Sequence, residues 1–392
     1  MKLAFYYHIP ILALEGNLHM PGFLGVFIDS LANNVDELHI VMHEAHGTQI
    51  KDCDYVLKQT NIKWINLGKR SPAWYRTFFP GQCLKHNLQA IEKCDAFIVR
   101  SPSPLAPHFY KFVKNPKIFF MIVGNYVDDA GHLKSSTWRN QIIYHYLHYY
   151  DKQFTSRIAQ TDVLVNSPFL YDKYHKVAKS IYQIRTTTLT QNDFFYREDT
   201  CLEKPVHSLF TGRIDPAKGL TELVHALHTL RKANNEVILD IVGWEDAKDK
   251  PYQKELMDLA THLGVADLVV FHGKKQIGEE LNAMYKMADV YVLPSYYEGF
   301  PRTIWEAMAN SLPVIATRVG GIPDTLTNEE NVLLIEPKDS QAIMDAIIRV
   351  TGDEILRRKL IVNGRQMAKG NTLEIQTNKM LDYVRKRLII TN

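Results

Sequence analysis

Two glutamates, Glu298 and Glu306, stand in Ser295-Tyr-Tyr-Glu298-Gly-Phe-Pro-Arg-Thr-Ile-Trp-Glu306-Ala-Met-Ala-Asn, directly after the apolar run Val290-Tyr-Val-Leu293. A carboxylate accepts hydrogen bonds from hydroxyls, so one glutamate in a Gly/Pro turn and one inside the next helix suit a polyhydroxylated molecule held at two ends. The start of that helix also offers free backbone N–H groups, which favour an anion. Taken singly, Glu298 reads as a helix cap and Glu306 as a solvated helix residue.

A second constellation changes that balance. Phe210-Thr-Gly212-Arg213-Ile-Asp-Pro-Ala-Lys218-Gly219-Leu again joins a strand to a helix through a glycine turn. Arginine supplies a planar fork for a phosphate and lysine a mobile point charge, the pair needed to hold a diphosphate and to neutralise it as it leaves. Either cation alone is read as a solvated turn residue.

The elements that must position these residues follow from the apolar pattern. Short apolar runs alternate with amphipathic helical stretches along the whole chain, which argues for parallel sheets covered by helices, an α/β fold. In the first half the expected strands are 2–7, 37–42, 96–100, 117–123 and 162–166, with a helix over 22–31. Residues 186–204 lack periodicity and read as a linker. The second half restarts with strands at 208–211, 237–243, 268–271, 290–293 and 313–316. Helices are expected over 220–233, 252–263 and 302–309 and from 339 and 354. A last helix, 373–388, carries Leu373, Ile375, Met380, Leu381, Val384 and Leu388 as an apolar stripe that needs a surface, which the first domain could supply.

With these motifs in this order, the chain resembles the retaining glycosyltransferase family 4, among the group 1 glycosyl transferases. There, G-R-x-x-x-x-K-G and E-G-F-x-x-x-x-x-E-A-M-A recur with this separation. The resemblance runs from Ser208 to about Gly364 and takes in Val242-Gly243, Val270-Phe-His-Gly273, Pro313-Val-Ile-Ala-Thr and Gly320-Gly321-Ile-Pro. It implies a GT-B architecture, two Rossmann-like doubly wound domains facing a central cleft. Residues 1–200 would take the acceptor, 201–372 the nucleotide-sugar donor, and 373–392 would return to the first domain.

The same resemblance implies roles for single residues. Arg213 and Lys218 would grip the donor diphosphate, and Glu298 would lie at the donor sugar with Gly299, Phe300 and Pro301. Glu306 would accept from ribose hydroxyls, and Gly273 and Lys274 would flank the base. Catalysis would rest on Glu298, Arg213 and Lys218. In the first half Met20-Pro-Gly22-Phe-Leu-Gly25-Val is similar to the family's glycine loop near the phosphates, where a missing Cβ lets backbone approach an anion. An ordinary tight turn explains it as well. The family commonly has His-Asp after its fifth strand, whereas this chain reads Val123-Gly124-Asn125-Tyr126-Val127-Asp128.

An inverting enzyme needs a general base for the acceptor and a double-displacement enzyme a carboxylate nucleophile; neither has a convincing candidate here. The family's usual route is retention by front-face attack, with the departing phosphate taking the acceptor proton. Asp52-Cys53-Asp54 has the D-x-D form of a metal site but no other clustered ligands, so no metal and no cofactor is expected beyond the nucleotide-diphosphate sugar itself, UDP- or GDP-linked.

Composition bounds the rest. A chain of 392 residues favours two domains, and 46% hydrophobic with 23% charged residues is ordinary globular usage. The four cysteines are too few for a disulfide framework, and the start reads as a buried strand instead of a signal peptide, which points to the cytoplasm. Residues 1–200 hold 22 Lys/Arg against 17 Asp/Glu and the remainder 24 against 26, an asymmetry that a solvated face explains as readily as an anionic partner. Two stretches mix aromatics with base, Lys69-Arg70-Ser-Pro-Ala-Trp74-Tyr75-Arg76-Thr-Phe78-Phe79 and Trp138 to Tyr150. They suit either buried core or a peripheral contact with the inner membrane face or a lipid-linked acceptor.

The reading reached is a metal-independent hexosyltransferase acting on a glycan, lipid-linked or polysaccharide acceptor in cell-surface glycan synthesis, with no nucleic-acid partner. The alternatives are an epimerase or phosphorylase on the same fold and a non-catalytic nucleotide-sugar-binding subunit.

Overall fold

The structure, a computed structural model, describes residues 1–84, 88–124 and 138–390. The chain divides into two compact units, Met1–Thr186 with Glu374–Asn392, and Thr187–Leu373. The division falls at 186/187 and not at 200. Leu189 is buried in the second core, and the Asp199 carboxylate is gripped by Arg357 at 2.6 and 2.8 Å, so the stretch read as a linker is part of the second unit.

In the first unit the strands are β1 (Lys2–Tyr6), β2 (Leu12–Leu14), β3 (Asn17–Met20), β4 (Glu37–Glu44), β5 (Tyr55–Val56), β6 (Ile62–Lys69), β7 (Ala96–Ser101), β8 (Lys117–Ile122), β9 (Asp162–Val165) and β10 (Ser180–Gln183). Seven of them form one parallel sheet in the order β10-β9-β8-β7-β1-β4-β6, while β2, β3 and β5 make a small antiparallel sheet. The central strands are buried on both faces and read as unbroken apolar runs. The edge strands β6 and β10 are half-covered and keep polar residues, which is why no apolar run announced them.

The two faces of this sheet carry separate cores. Ala4, Tyr6, Val41, Phe97 and Val99 line one, with Tyr150, Phe154 and Ile158 of the helix Trp138–Ile158 packed onto it. Leu3, Phe5, Ile40 and Ile98 line the other, where Met380, Leu381 and Val384 of the helix Leu373–Ile389 are buried. That helix is also tied by Arg387 to the buried Asp162 at 2.8 Å and by the Gln376 side chain, which accepts from the Arg185 N–H at 2.9 Å.

The second unit holds β11 (Val206–Arg213), β12 (Val237–Trp244), β13 (Val269–Gly273), β14 (Val290–Leu293), β15 (Val314–Thr317) and β16 (Leu333–Ile335). They form one parallel sheet in the order β13-β12-β11-β14-β15-β16. The chain runs outward from β11 to β13, then returns to lay β14 on the other side of β11. Ligands of open α/β sheets bind at such a reversal, outside the carboxyl ends of the strands.

Candidate functional site

The residues singled out in the second half meet at that reversal. After β11 the chain makes a short turn, Pro216–Lys218, capped by the Asp215 carboxylate, which accepts from the Ala217 N–H at 2.9 Å. Gly219 follows with φ 68, and a Cβ there would run into the carbonyl oxygen of Pro294 at the end of β14. Only glycine lets the two segments approach this closely. The Tyr296 N–H donates to the Ala217 carbonyl at 2.8 Å and stitches them together.

Lys218 is thereby brought to Glu298, Nζ to Oε1 at 2.6 Å, with both side chains largely buried. The Ser295 hydroxyl donates to the same Oε1 at 2.8 Å, and the Thr317 hydroxyl to the Ser295 carbonyl at 2.6 Å. The turn that carries Glu298 is braced from behind. Gly320, at φ 53, has no room for a Cβ against the Glu298 carbonyl, and the Gly321 N–H donates to the Gly299 carbonyl at 2.6 Å. Phe300 stacks on Trp305 with ring centroids 4.6 Å apart, and the helix Arg302–Ala309 begins after Pro301 with no side chain capping it. Its first-turn N–H groups therefore suit an anion.

Arg213 ends β11. Its Nε donates to Asp215 at 2.8 Å, and the side chain is half-exposed. Glu306 is only 6% exposed and accepts from Thr188 Oγ1 and Tyr285 OH, each at 2.8 Å. Burial, and then the Glu306 charge, push the Tyr285 phenol well above its ordinary value, so it stays protonated and donates. Thr188 and Tyr285 escaped the sequence reading because neither belongs to the motif. Each Glu306 oxygen keeps a lone pair for a further hydroxyl.

Gly273, at φ 70, ends β13 and Lys274 follows it. The Lys274 ammonium sits 5.5 Å from the ring centroid of Trp244, which is partly exposed and donates its indole N–H to Asp246 at 2.9 Å. Trp244 is a flat apolar surface at a strand end that sequence reasoning missed; its signal was a tryptophan directly after Val242-Gly243. Backbone contact explains Gly243 too, since a Cβ there would overlap the Gly212 carbonyl.

The first-half glycines take different parts. The Gly22 N–H donates to the Asp54 carboxylate at 2.8 Å, and a Cβ on Gly25 would collide with the Tyr55 ring. At this helix start the Gly22 N–H is taken by the protein's own Asp54 carboxylate, and Gly25 is where the Tyr55 ring packs. Asn125, Tyr126, Val127 and Asp128 lie outside the described residues. Among the described residues no three His, Cys, Asp or Glu side chains cluster as metal ligands, and no helix is long and apolar enough to cross a membrane. The aromatic stretches split. Tyr150 and Arg76 are buried, while Trp74, Phe78, Trp138, Ile142 and Tyr149 are exposed and Phe78 stacks on Tyr149.

Residues 194–367, which hold every one of the second-unit site residues above except Thr188, match the model of the group 1 glycosyl transferases. The chain carries a group 1 glycosyl transferase domain. It is 31% identical over 183 residues to the D-inositol 3-phosphate glycosyltransferase of Saccharomonospora viridis, a match covering 46% of this chain and 42% of that one. The chain thus spans less than half the length of that curated relative. Over the whole chain the fold is GT-B. It superposes with TM-score 0.72 on sucrose-phosphate synthase of Thermosynechococcus elongatus, 20% identical, covering 99% of both chains. The HepE protein of Anabaena in complex with UDP follows at TM-score 0.70 and 16% identity, covering 98% of this chain and 100% of that one.

Proposed function

We propose that the protein is a retaining glycosyltransferase of family 4 that moves a hexose from a nucleotide-diphosphate sugar to an acceptor. The observation that carries the reading is the Lys218–Glu298 contact at the sheet reversal, beside the uncapped start of the helix Arg302–Ala309. A lysine held by one carboxylate is positioned before the donor arrives. The diphosphate would draw on Lys218, Arg213 and the helix N–H groups, and Glu298 would be released to accept from sugar hydroxyls. Trp244 and Lys274 offer a stacking surface for the base. Glu306 would take ribose hydroxyls beside Thr188 and Tyr285.

In the transfer the bond from the anomeric carbon to the diphosphate oxygen breaks and the bond to the acceptor oxygen forms. The acceptor proton passes to the departing diphosphate on the same face, which gives retention. Neither a metal nor a cofactor is invoked, because Arg213, Lys218 and the helix start supply the positive charge. A panel of UDP-, GDP- and ADP-sugars tests the reading. Consumption of one donor with retained anomeric configuration, measured by NMR, supports it. Binding without turnover favours a non-catalytic subunit, and turnover with no acceptor or only with inorganic phosphate favours the epimerase or phosphorylase.

We extend the reading to a peripheral membrane contact through the exposed Trp74, Phe78, Trp138 and Ile142, which would serve a lipid-linked acceptor in cell-surface glycan synthesis. Co-sedimentation with anionic vesicles should fall several-fold in Trp138→Ser/Ile142→Ser; unchanged sedimentation rules the contact out.

A further inference from the structure

We propose that Ser295 is a positioning residue of the transfer: its hydroxyl holds the Glu298 carboxylate in one orientation once Lys218 has turned to the diphosphate, so that the other oxygen of Glu298 meets the donor sugar. This rests on the transferase reading above. Pairing of β14 with β15 ends at Leu293 and Ala316, and the next residue, Pro294, has no N–H to continue the ladder. Beyond that point side chains take over. Thr317, the last residue of β15, donates its hydroxyl to the Ser295 carbonyl at 2.6 Å, which fixes the Ser295 peptide one residue past the proline.

Ser295 and Thr317 are both buried, so neither hydroxyl is free to turn to bulk water. From that fixed backbone the Ser295 hydroxyl donates to Glu298 Oε1 at 2.8 Å, and Lys218 Nζ donates to the same oxygen at 2.6 Å. Both contacts fall on one oxygen, and Glu298 Oε2 has no partner among the described residues. A carboxylate divided in this way is held by the protein through one oxygen and offers the lone pairs of the other to a hydroxyl.

The two groups that hold Oε1 differ in what they do when a nucleotide sugar arrives. The lysine ammonium is a mobile point charge on a flexible stem, and a diphosphate attracts it. The serine hydroxyl is neutral and sits on a short side chain whose peptide is tied to β15. When Lys218 moves to the diphosphate, Oε1 loses its ion pair and keeps Ser295. Without that hydroxyl the sugar itself would have to order the Glu298 side chain, and transfer would slow. A hydrogen bond to a charged group is among the stronger ones in a protein, so its loss is large enough to measure.

The test uses the full chain, the panel nucleotide sugar that wild type consumes, and the matching nucleoside diphosphate. Initial rates on the first and calorimetric affinity for the second are measured for wild type, Ser295→Ala, Thr317→Val, Thr317→Ser, Glu298→Ala and Ser295→Ala/Glu298→Ala. Ser295→Ala should lower kcat by roughly 10–100-fold. Affinity for the nucleoside diphosphate, which has no sugar to meet Glu298, should stay within about twofold. On the Glu298→Ala background the serine change should lower kcat by less than about threefold, because its partner is gone. Thr317→Val should lower kcat in the same way, and Thr317→Ser, which keeps the hydroxyl, should retain it; this pair carries the test if Ser295→Ala does not fold. Unchanged kcat in Ser295→Ala and Thr317→Val, an affinity for the nucleoside diphosphate that falls as far as kcat, or an equal loss on both backgrounds overturns the inference and leaves the transferase reading standing. If wild type consumes no nucleotide sugar, the transferase reading falls and takes this inference with it.

Discussion

Both units are doubly wound parallel sheets with polar residues gathered where the strand order reverses, but the groups gathered there differ. At the second unit's reversal the cations are paired, Lys218 with Glu298 and Arg213 with Asp215. At the first unit's reversal Arg70, Arg76 and Arg100 surround neutral His8 and His43. A paired site rests in a stable state and exchanges partners when a ligand arrives.

The comparison is broken most severely by removing one member of a pair. Asp199→Ala, which strands the buried Arg357, should lower the unfolding free energy by roughly 3–5 kcal/mol in urea denaturation. At the site, Lys218→Ala and Glu298→Gln should each reduce donor turnover by about 10²–10³-fold in initial-rate assays, the range for loss of a group that stabilises developing charge. A loss under threefold would mean that the pair holds structure and not substrate.

Acid should distinguish the units next. Unfolded imidazoles take protons near pH 6.5, whereas folded His43 and His8 resist down to about 4 and about 3. Between those values the unfolded state binds more protons, so stability is complete above about pH 6.5 and falls as pH drops. The slope is at most about 1.4 kcal/mol per pH unit per histidine. Urea midpoints from pH 7 to 5 should show this slope, and His43→Gln should flatten it. The smallest effect belongs to Arg70→Gln, which relieves repulsion and should leave stability within about 0.5 kcal/mol of wild type or above it. A large loss would mean that Arg70 helps to hold the fold.

The second unit was the more legible. Its chemistry lies in two contiguous strand–turn–helix motifs, and adjacency in sequence placed Arg213 beside Lys218 and Glu298 beside the helix of Glu306 before any fold was known. Its strands β11, β12, β14 and β15 are buried on both faces, so their apolar runs stood out. The three-residue edge strand β16 and the helix Glu279–Met287 gave too weak a signal. In the first unit the edge strands were lost for the same reason, and the contact of Asp54 with the Gly22 N–H joins residues too far apart in the chain for a local pattern to show.

The sequence by itself determined the α/β class, the order of most central strands, the last helix's apolar stripe and the motifs at the second reversal, because each is a local pattern of burial or turn chemistry. Only the tertiary structure decided that 187–200 belongs to the second unit, that Lys218 meets Glu298, and that three arginines from separate segments converge on two histidines. Those facts depend on which strands lie side by side. Pairing of parallel strands is set by crossovers distant in the chain, so no local pattern records it.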